Sequence, residues 1–190
     1  EQEIHSEDEL KLIIAESEEG GAIEPNEREL IQNVFDFDDR IVRQVMVPRV
    51  KISGLRADLS ITDTMDVVLK EGYSRYPVYE HSLDEIIGIV HAKDIITAYV
   101  QQSGKGLKEV MRQAHFIPES KPIDVLLREF QRRKTQMAIV VSEFGGTIGI
   151  VTLEDILEEL VGEIQDEHDH EQQIVTLLDK QVYQIVAQSS

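Results

Sequence analysis

A chain of 190 residues with 41% apolar and 29% charged residues has the balance of a globular protein with a buried core, as one large domain or two small ones. It contains no cysteine, which excludes disulfides and thiolate metal sites and points to a reducing compartment. No apolar run approaches the roughly 18 residues of a membrane-spanning helix, and a formal net charge of −18 argues against nucleic acid or an anionic membrane surface as partner.

Residues 1–40 read as a helical, acidic connecting segment. Ser6 and Glu9 have capping-box spacing, Leu10, Ile13 and Ile14 recur at helical intervals, and Gly20-Gly21 ends the run. A second helix starts near Pro25-Asn26 and carries Leu30, Ile31, Val34 and Phe35 toward a partner. Neither piece has a core of its own, so both must pack on the remainder of the chain or on another part of a longer parent. The chain reads as an excised piece of such a parent, since it opens on Glu1 without a Met and stops just after a predicted strand.

Residues 41–103 form a first unit. Ile41, Val42, Val45 and Met46 give a helical pattern that Pro48 ends. Val50 to Leu55 predicts a strand, and Ser60 caps an amphipathic helix that runs to Gly72. A polar, basic elbow at Tyr73-Ser74-Arg75 leads into a strand ending at Tyr79. Ile86 to Val90 pairs back on that strand, and a helix from Asp94 to Val100 closes the unit. The order is β-α-β-β-α.

Residues 104–165 repeat it. Phe116-Ile117-Pro118 predicts a strand, and Ser120-Lys121-Pro122 starts a helix with Pro at its first position. Hairpin strands follow at Met137 to Val141 and Thr147 to Val151, joined through Ser142-Glu143-Phe144-Gly145-Gly146, and a helix from Leu153 to Val161 closes the unit. Residues 166–190 read as an acidic linker and two strands, Ile174 to Leu178 and Gln181 to Val186, that begin a truncated further domain.

The internal similarity is literal. Gly149-Ile150-Val151-Thr152-Leu153-Glu154-Asp155 repeats Gly88-Ile89-Val90-His91-Ala92-Lys93-Asp94 at an offset of 61, and Tyr76 to Tyr79 aligns with Met137 to Val140 at the same offset. Val45-Met46 aligns with Val110-Met111 at an offset of 65. Units too small to bury a good core alone predict an α/β (α+β) fold of two tandem repeats related by a pseudo-twofold axis.

Thr152 and Asp155 stand where a strand turns into a helix. A helix N-terminus presents unsatisfied N–H groups and a partial positive charge, so a hydroxyl and a carboxylate there suit a sugar phosphate, or simply cap their own helix. Nine carboxylates and no Lys or Arg lie between Glu154 and Glu171. They form either a solvated face and loose tail or a lure for divalent cations, with Glu158, Asp166 and His168 as metal candidates. His168 and His170 among Asp166, Glu167 and Asp169 lack the fixed spacing of a metal site. No nucleophile beside a base, no P-loop and no G-x-G-x-x-G is present, so the chain reads as a non-enzyme.

Two β-α-β-β-α units, each closing on Gly-Ile-Val-x-x-x-Asp, resemble a pair of cystathionine-β-synthase (CBS) domains, a Bateman module. Val45-Met46-Val47-Pro48-Arg49, Ser74-Arg75-Tyr76-Pro77-Val78, Met137-Ala138-Ile139-Val140, Glu143-Phe144-Gly145-Gly146 and the run from Thr152 to Glu167 together resemble the CorC/HlyC-type magnesium and cobalt efflux proteins. Those are similar in turn to the cyclin-M magnesium transport mediators.

The resemblance implies an adenine nucleotide between the repeats, ATP (or ADP or AMP) with Mg²⁺. It also implies a homodimer of CBS pairs, and a cytoplasmic module whose parent protein sits in the inner or plasma membrane with its own transport domain. It places Asp155 on the ribose hydroxyls, Thr152 on ribose or α-phosphate, Arg75 on phosphates, and Ile52 against adenine, with Tyr73, Ser74 and Pro77 in the opposite wall. Mg²⁺ is implied as held through the nucleotide phosphates.

The mirror site has His91 in place of Thr152 and the elbow Lys134-Thr135-Gln136, with Gln136 in place of Arg75, which predicts one nucleotide per chain. Simple capping by Thr152 and Asp155, a solvated Arg75 and a space-filling His91 are the alternatives at those residues. The leading expectation is a regulatory module that senses nucleotide and controls magnesium and cobalt efflux. A dimerisation platform indifferent to nucleotide is the second, and a hydrolase using the carboxylates from Glu158 to Glu163 the third.

Overall fold

The computed structural model describes residues 6–162, together with the backbone of two later strands, Val175–Asp179 and Val182–Ile185. Two helices lead in, α1 (Glu7–Glu19) and α2 (Pro25–Phe37). Ser6 and Glu9 form the expected capping box: the Ser6 hydroxyl accepts from Glu9 N–H at 3.3 Å, and the Glu9 carboxylate accepts from Ser6 N–H at 2.9 Å.

The next elements are α3 (Val42–Val45), β1 (Val47–Pro48), a 3₁₀ turn (Arg49–Lys51), β2 (Leu55–Arg56), α4 (Ile61–Glu71), β3 (Arg75–Tyr79), β4 (Ile86–His91) and α5 (Ala92–Val100). The second unit adds α6 (Leu107–Val110), β5 (Phe116–Pro118), α7 (Ile123–Arg133), β6 (Met137–Val141), β7 (Thr147–Thr152) and α8 (Leu153–Val161). The later strands are β8 and β9, which pair antiparallel with each other. In each unit the order is β-α-β-β-α, as the sequence predicts. Two local expectations fail. Of the strand predicted from Val50 to Leu55 only Leu55 is in a strand, Val50 and Lys51 belonging to the 3₁₀ turn and residues 52–54 to no regular element, and Pro122 is the N-cap of α7 rather than its first residue.

One sheet runs β1-β7-β6-β5 and the other β2-β3-β4. β1 therefore pairs with the second unit, Val47 opposite Ile150 and Pro48 opposite Gly149. The exchange is returned at Arg112, which trades backbone hydrogen bonds of 2.9 and 2.8 Å with Ile89 of the first unit. The cores follow the same swap. Val42, Val45 and Met46 pack with Ile117, Ile123, Leu126, Phe130, Val140, Val151 and Ile156, whereas Leu107, Val110 and Met111 pack with Leu55, Val68, Tyr76, Val78, Val90 and Ile95. A third cluster, with Ile86 and Ile89 from one sheet and Met137, Ile139 and Ile150 from the other, joins the units.

The swap explains the glycines of the repeated motif. A Cβ at Gly149 would lie 2.7 Å from Met46 Sδ and 2.7 Å from the Val47 carbonyl oxygen, and one at Gly88 would meet Met111 Sδ and the Arg112 carbonyl at 2.7 and 2.8 Å. Each Gly-Ile-Val strand is thus read together with the Val-Met pair of the other unit. The α1–α2 lead-in packs on the second unit: Phe37 is buried in its core, and Asn33 Nδ2 donates to the Leu160 carbonyl at 3.3 Å.

Strand register corrects the sequence alignment by one residue. Leu55 pairs with Val78 and Ile117 with Val140, so β3 corresponds to β6 at an offset of 62, while β4 and β7 keep 61. The hairpin connection is one residue shorter in the second unit, 142–146 against 80–85. The position equivalent to Arg75 is therefore Met137, not Gln136.

Candidate functional site

Thr152 ends β7 and caps α8. Its hydroxyl accepts from Asp155 N–H at 3.2 Å, and Asp155 Oδ2 accepts from Thr152 N–H at 2.6 Å and from the Thr152 hydroxyl at 2.7 Å. The pair does cap its own helix. Both bonds to the carboxylate converge on one oxygen, and an ionised carboxylate has acceptor capacity on the other as well. The mirror position is built differently. His91 is the N-cap of α5 but makes no side-chain cap bond, and Asp94 accepts from Arg112 Nη2 at 2.8 Å. Burial holds the His91 imidazole below its ordinary value of 6.5, with the Arg112 charge adding to the effect and Asp94 opposing it.

The elbows are fixed by the helices they face. Ser74 O accepts from Ala92 N–H and Gln136 O from Leu153 N–H, both at 3.0 Å, so each elbow sits at the N-terminus of its own unit's closing helix. From this position Arg75 crosses to the other unit. Its guanidinium donates from Nη1 to Glu154 Oε1 at 3.0 Å and from Nη2 to Gln136 Oε1. The side chain is 13% exposed. Arg75 Nε and Thr135 Oγ1, one in each elbow, are the buried side-chain polar atoms without a partner among the described residues. Native interiors pair such atoms, so orphans at one junction mark a place where a polar ligand or solvent belongs.

Ile52 and Tyr73 line one cavity of about 500 Å³ together with Ser53, Gly54 and Glu71. Ile52 also packs on the central cluster, and Tyr73, 56% exposed, meets Tyr76 edge to face. The structure thus gathers the predicted residues in two groups: Ile52 with Tyr73, and Arg75 with the first turn of α8 that carries Thr152 and Asp155. Tyr73-Ser74-Arg75 connects them along the chain, with Ser74 exposed. Pro77 is buried within β3 opposite Ile89, a strand position in the core.

Glu154 and Gln136 are partners of Arg75 that spacing did not reveal. Glu154 was only one member of an acidic run, and its meeting with Arg75 depends on how the units are juxtaposed. Glu158 is exposed on α8, while Asp166 and His168 lie outside the described residues. Among the described residues no three His, Cys, Asp or Glu side chains gather as a metal site, and no helix is long and apolar enough to cross a membrane.

The CBS-domain family model matches residues 42–101 and 107–162. The magnesium and cobalt efflux protein CorC of Escherichia coli is 39% identical over 169 residues, 88% of this chain and 58% of CorC. Three further curated relatives are spanned over only 30% to 40% of their length. The solved CBS domain of the bacterial CNNM/CorC family Mg²⁺ transporter is 42% identical with a TM-score of 0.79, covering 86% of this chain and all of that one. A CBS domain of the bacterial CNNM/CorC family Mg²⁺ transporter solved in complex with ATP is 40% identical with a TM-score of 0.70, covering 74% of this chain and all of that one. A CBS pair with bound AMP from Klebsiella pneumoniae is 31% identical with a TM-score of 0.55, covering 64% and 98%. The tandem units, their exchanged segments and these matches lead to one conclusion: the chain belongs to the CBS-domain family, as a CBS pair of the CNNM/CorC type.

Proposed function

We propose that this CBS pair is a regulatory module that binds ATP with Mg²⁺ at the junction of its two units and controls magnesium or cobalt efflux by the transport domain of its parent protein. The observation that carries the reading is Arg75. A guanidinium from the first unit is held against the helix N-terminus of the second with its Nε buried and unpaired, beside a capping Thr and Asp. Adenine lies against Ile52 and Tyr73, the ribose diol on Asp155, ribose or α-phosphate on Thr152, and the phosphates on Ser74 and Arg75. The ATP-bound relative supports the choice of ligand.

Mg²⁺ has an electrostatic reason. A triphosphate brings about four negative charges toward a chain already at −18, and Glu154 stands on the guanidinium that would receive it. A cation carried on the phosphates offsets both. Control of transport then requires that nucleotide bind two conformations of the parent with different affinity. The Thr152 hydroxyl and the Asp155 carboxylate are engaged with each other in the cap of α8, and in this reading the nucleotide is sensed and not turned over, so prolonged incubation with Mg-ATP releases no phosphate.

The test is thermal unfolding with ATP, ADP and AMP, each with and without Mg²⁺. Ligand at 100 times its dissociation constant adds about 2.7 kcal/mol to the native state, a rise on the order of several degrees. A Mg²⁺-dependent rise with ATP is expected, and no shift with any nucleotide would refute the reading.

One observation favours a second role, dimerisation. Leu69 on α4 and Val100 on α5 are 70% and 72% exposed, and Ile96, Tyr99, Leu157 and Val161 are also exposed on α5 and α8. We propose that a second copy covers these helices, with the module on the cytoplasmic face of an inner or plasma membrane. Solution mass with and without ATP separates the roles: a platform alone stays dimeric and indifferent to nucleotide.

A further inference from the structure

At the end of the molecule where the two hairpin turns meet, Arg49 leaves β1 and enters the 3₁₀ turn. Its guanidinium grips Asp84 with both terminal nitrogens, Nη2 reaching Oδ2 at 2.8 Å, and Nη1 also donates to the Thr147 carbonyl at 3.0 Å. Asp84 belongs to the β3–β4 turn of the first unit, and its own N–H is tied to Ser82 Oγ at 3.2 Å. Thr147, 2% exposed, opens β7 of the second unit. One side chain therefore joins three pieces of backbone: the crossing segment, the first unit's hairpin and the second unit's sheet.

Just beyond Arg49 the backbone becomes a wall of the cavity of about 500 Å³. Ile52, Ser53 and Gly54 line it directly, facing Glu71 and Tyr73. The segment is otherwise held by Ile52, which packs on the central cluster, and by the Ser53 hydroxyl, which donates to the Glu71 carboxylate. Its 3₁₀ turn contains no buried residue, and Val50 is 91% exposed. At its far end a Cβ added at Gly54 would lie 2.9 Å from Leu83 Cδ2 and 3.2 Å from the Tyr79 ring, on the same hairpin that carries Asp84. The segment thus meets the β3–β4 hairpin at Arg49 and again at Gly54, and Ile52, seated on the central cluster, lies between these two contacts.

We infer that the Arg49–Asp84 pair is a clamp that positions Ile52 for the base of the nucleotide, and that Arg49 and Asp84 are positioning residues touching no ligand. The inference rests on the adenine-nucleotide reading proposed for the junction. Arginine is required because the fork spans both carboxylate oxygens while one nitrogen still reaches the carbonyl, which a lysine ammonium on a flexible stem does not reproduce. The pair is solvent-exposed, so removing it changes overall stability little. Its effect falls on the cavity wall.

The experiment titrates the intact chain with two probes, adenosine, which is uncharged, and inorganic tripolyphosphate, followed by nuclear magnetic resonance. The proteins are wild type, Arg49→Lys, Asp84→Asn and the double variant. The clamp predicts that each single variant binds adenosine about threefold to tenfold more weakly. The double variant should be no weaker than the weaker single. Tripolyphosphate binding and the melting midpoint should stay near wild type. Loss confined to tripolyphosphate would mean that Arg49 acts by its charge and would overturn the clamp. A melting midpoint that falls in step with affinity would overturn it equally. Wild type that binds adenosine with all variants unchanged refutes the clamp alone. Wild type that binds neither adenosine nor tripolyphosphate refutes the nucleotide reading and the clamp together.

Discussion

A triphosphate that approaches Arg75 competes with a carboxylate already in place, Glu154 at 3.0 Å from Nη1. Glu154→Gln removes that competing charge and keeps the side chain's shape. It should raise affinity for Mg²⁺-free ATP by about tenfold, the scale of one like charge at close range in a partly solvated site. The gap between affinities with and without Mg²⁺ should shrink in proportion; calorimetric titrations that leave the gap unchanged would remove Glu154 from the phosphate end. At Asp155 the problem is to separate binding from capping, because its carboxylate serves Thr152 as well. Asp155→Asn retains an acceptor for the cap and loses the charge and the second acceptor that a ribose diol needs. ATP affinity is expected to fall at least tenfold while the melting midpoint changes little, and equal affinity would place the ribose elsewhere. His91 makes a pH argument. Its folded value is depressed, so its contribution to stability is full above 6.5 and is lost as pH falls from there through the folded value. His91→Gln should therefore flatten the decline of the melting midpoint below pH 6.5, and an unchanged profile would show that burial of the imidazole has no cost. Thr152 and Asp155 were legible because a cap has a fixed three-residue spacing. Glu154 and Gln136 were not, because Arg75 reaches them across 79 and 61 residues of sequence.

At the scale of elements, the close approach of β1 to β7 is the contact on which the pairing of units turns. Gly149→Ala puts a methyl 2.7 Å from a backbone carbonyl as well as from the Met46 sulfur, and the carbonyl, unlike the flexible Met end, cannot yield without breaking the β1–β7 bridge. A loss of about 1–3 kcal/mol is expected, the range for overpacking a well-filled interior, measured by urea unfolding. A variant as stable as wild type would mean that β1 is free to move away. The repeated Gly-Ile-Val and Val-Met words could be read from the sequence, and so could the β-α-β-β-α order, because cap residues and apolar periodicity punctuate each element. That the words of one unit pack on those of the other could not be read, since spacing along a chain does not say which copy a strand pairs with. The one-residue slip in aligning β3 with β6 has a similar origin. Tyr76-Pro77-Val78 and Ala138-Ile139-Val140 are apolar on every position, so no alternation marks the register, and the shorter second hairpin turn shifted it unseen.

For the molecule as a whole, the exchange of α3 with β1 for α6 with Arg112 makes each unit's core depend on the other's chain. A third cluster bridges the sheets. Neither unit keeps a complete core when separated, and below a certain core size small domains do not stand alone. The two units should therefore unfold in one cooperative step. The chain offers a convenient probe, because it has no Trp and four of its five tyrosines, Tyr73, Tyr76, Tyr79 and Tyr99, lie in the first unit. With Tyr183→Phe removing the fifth, tyrosine fluorescence reports the first unit alone, while far-ultraviolet circular dichroism reports helices of both. Urea transitions by the two probes are expected to coincide, as two-state unfolding requires. A first-unit transition displaced from the overall one would mean that the exchanged segments do not couple the units. It would also remove the mechanical basis for nucleotide control, because a ligand at the junction can bias an attached domain only if both halves respond together. Coincident transitions that shift together with Mg-ATP would tie the fold to the sensing function in a single measurement.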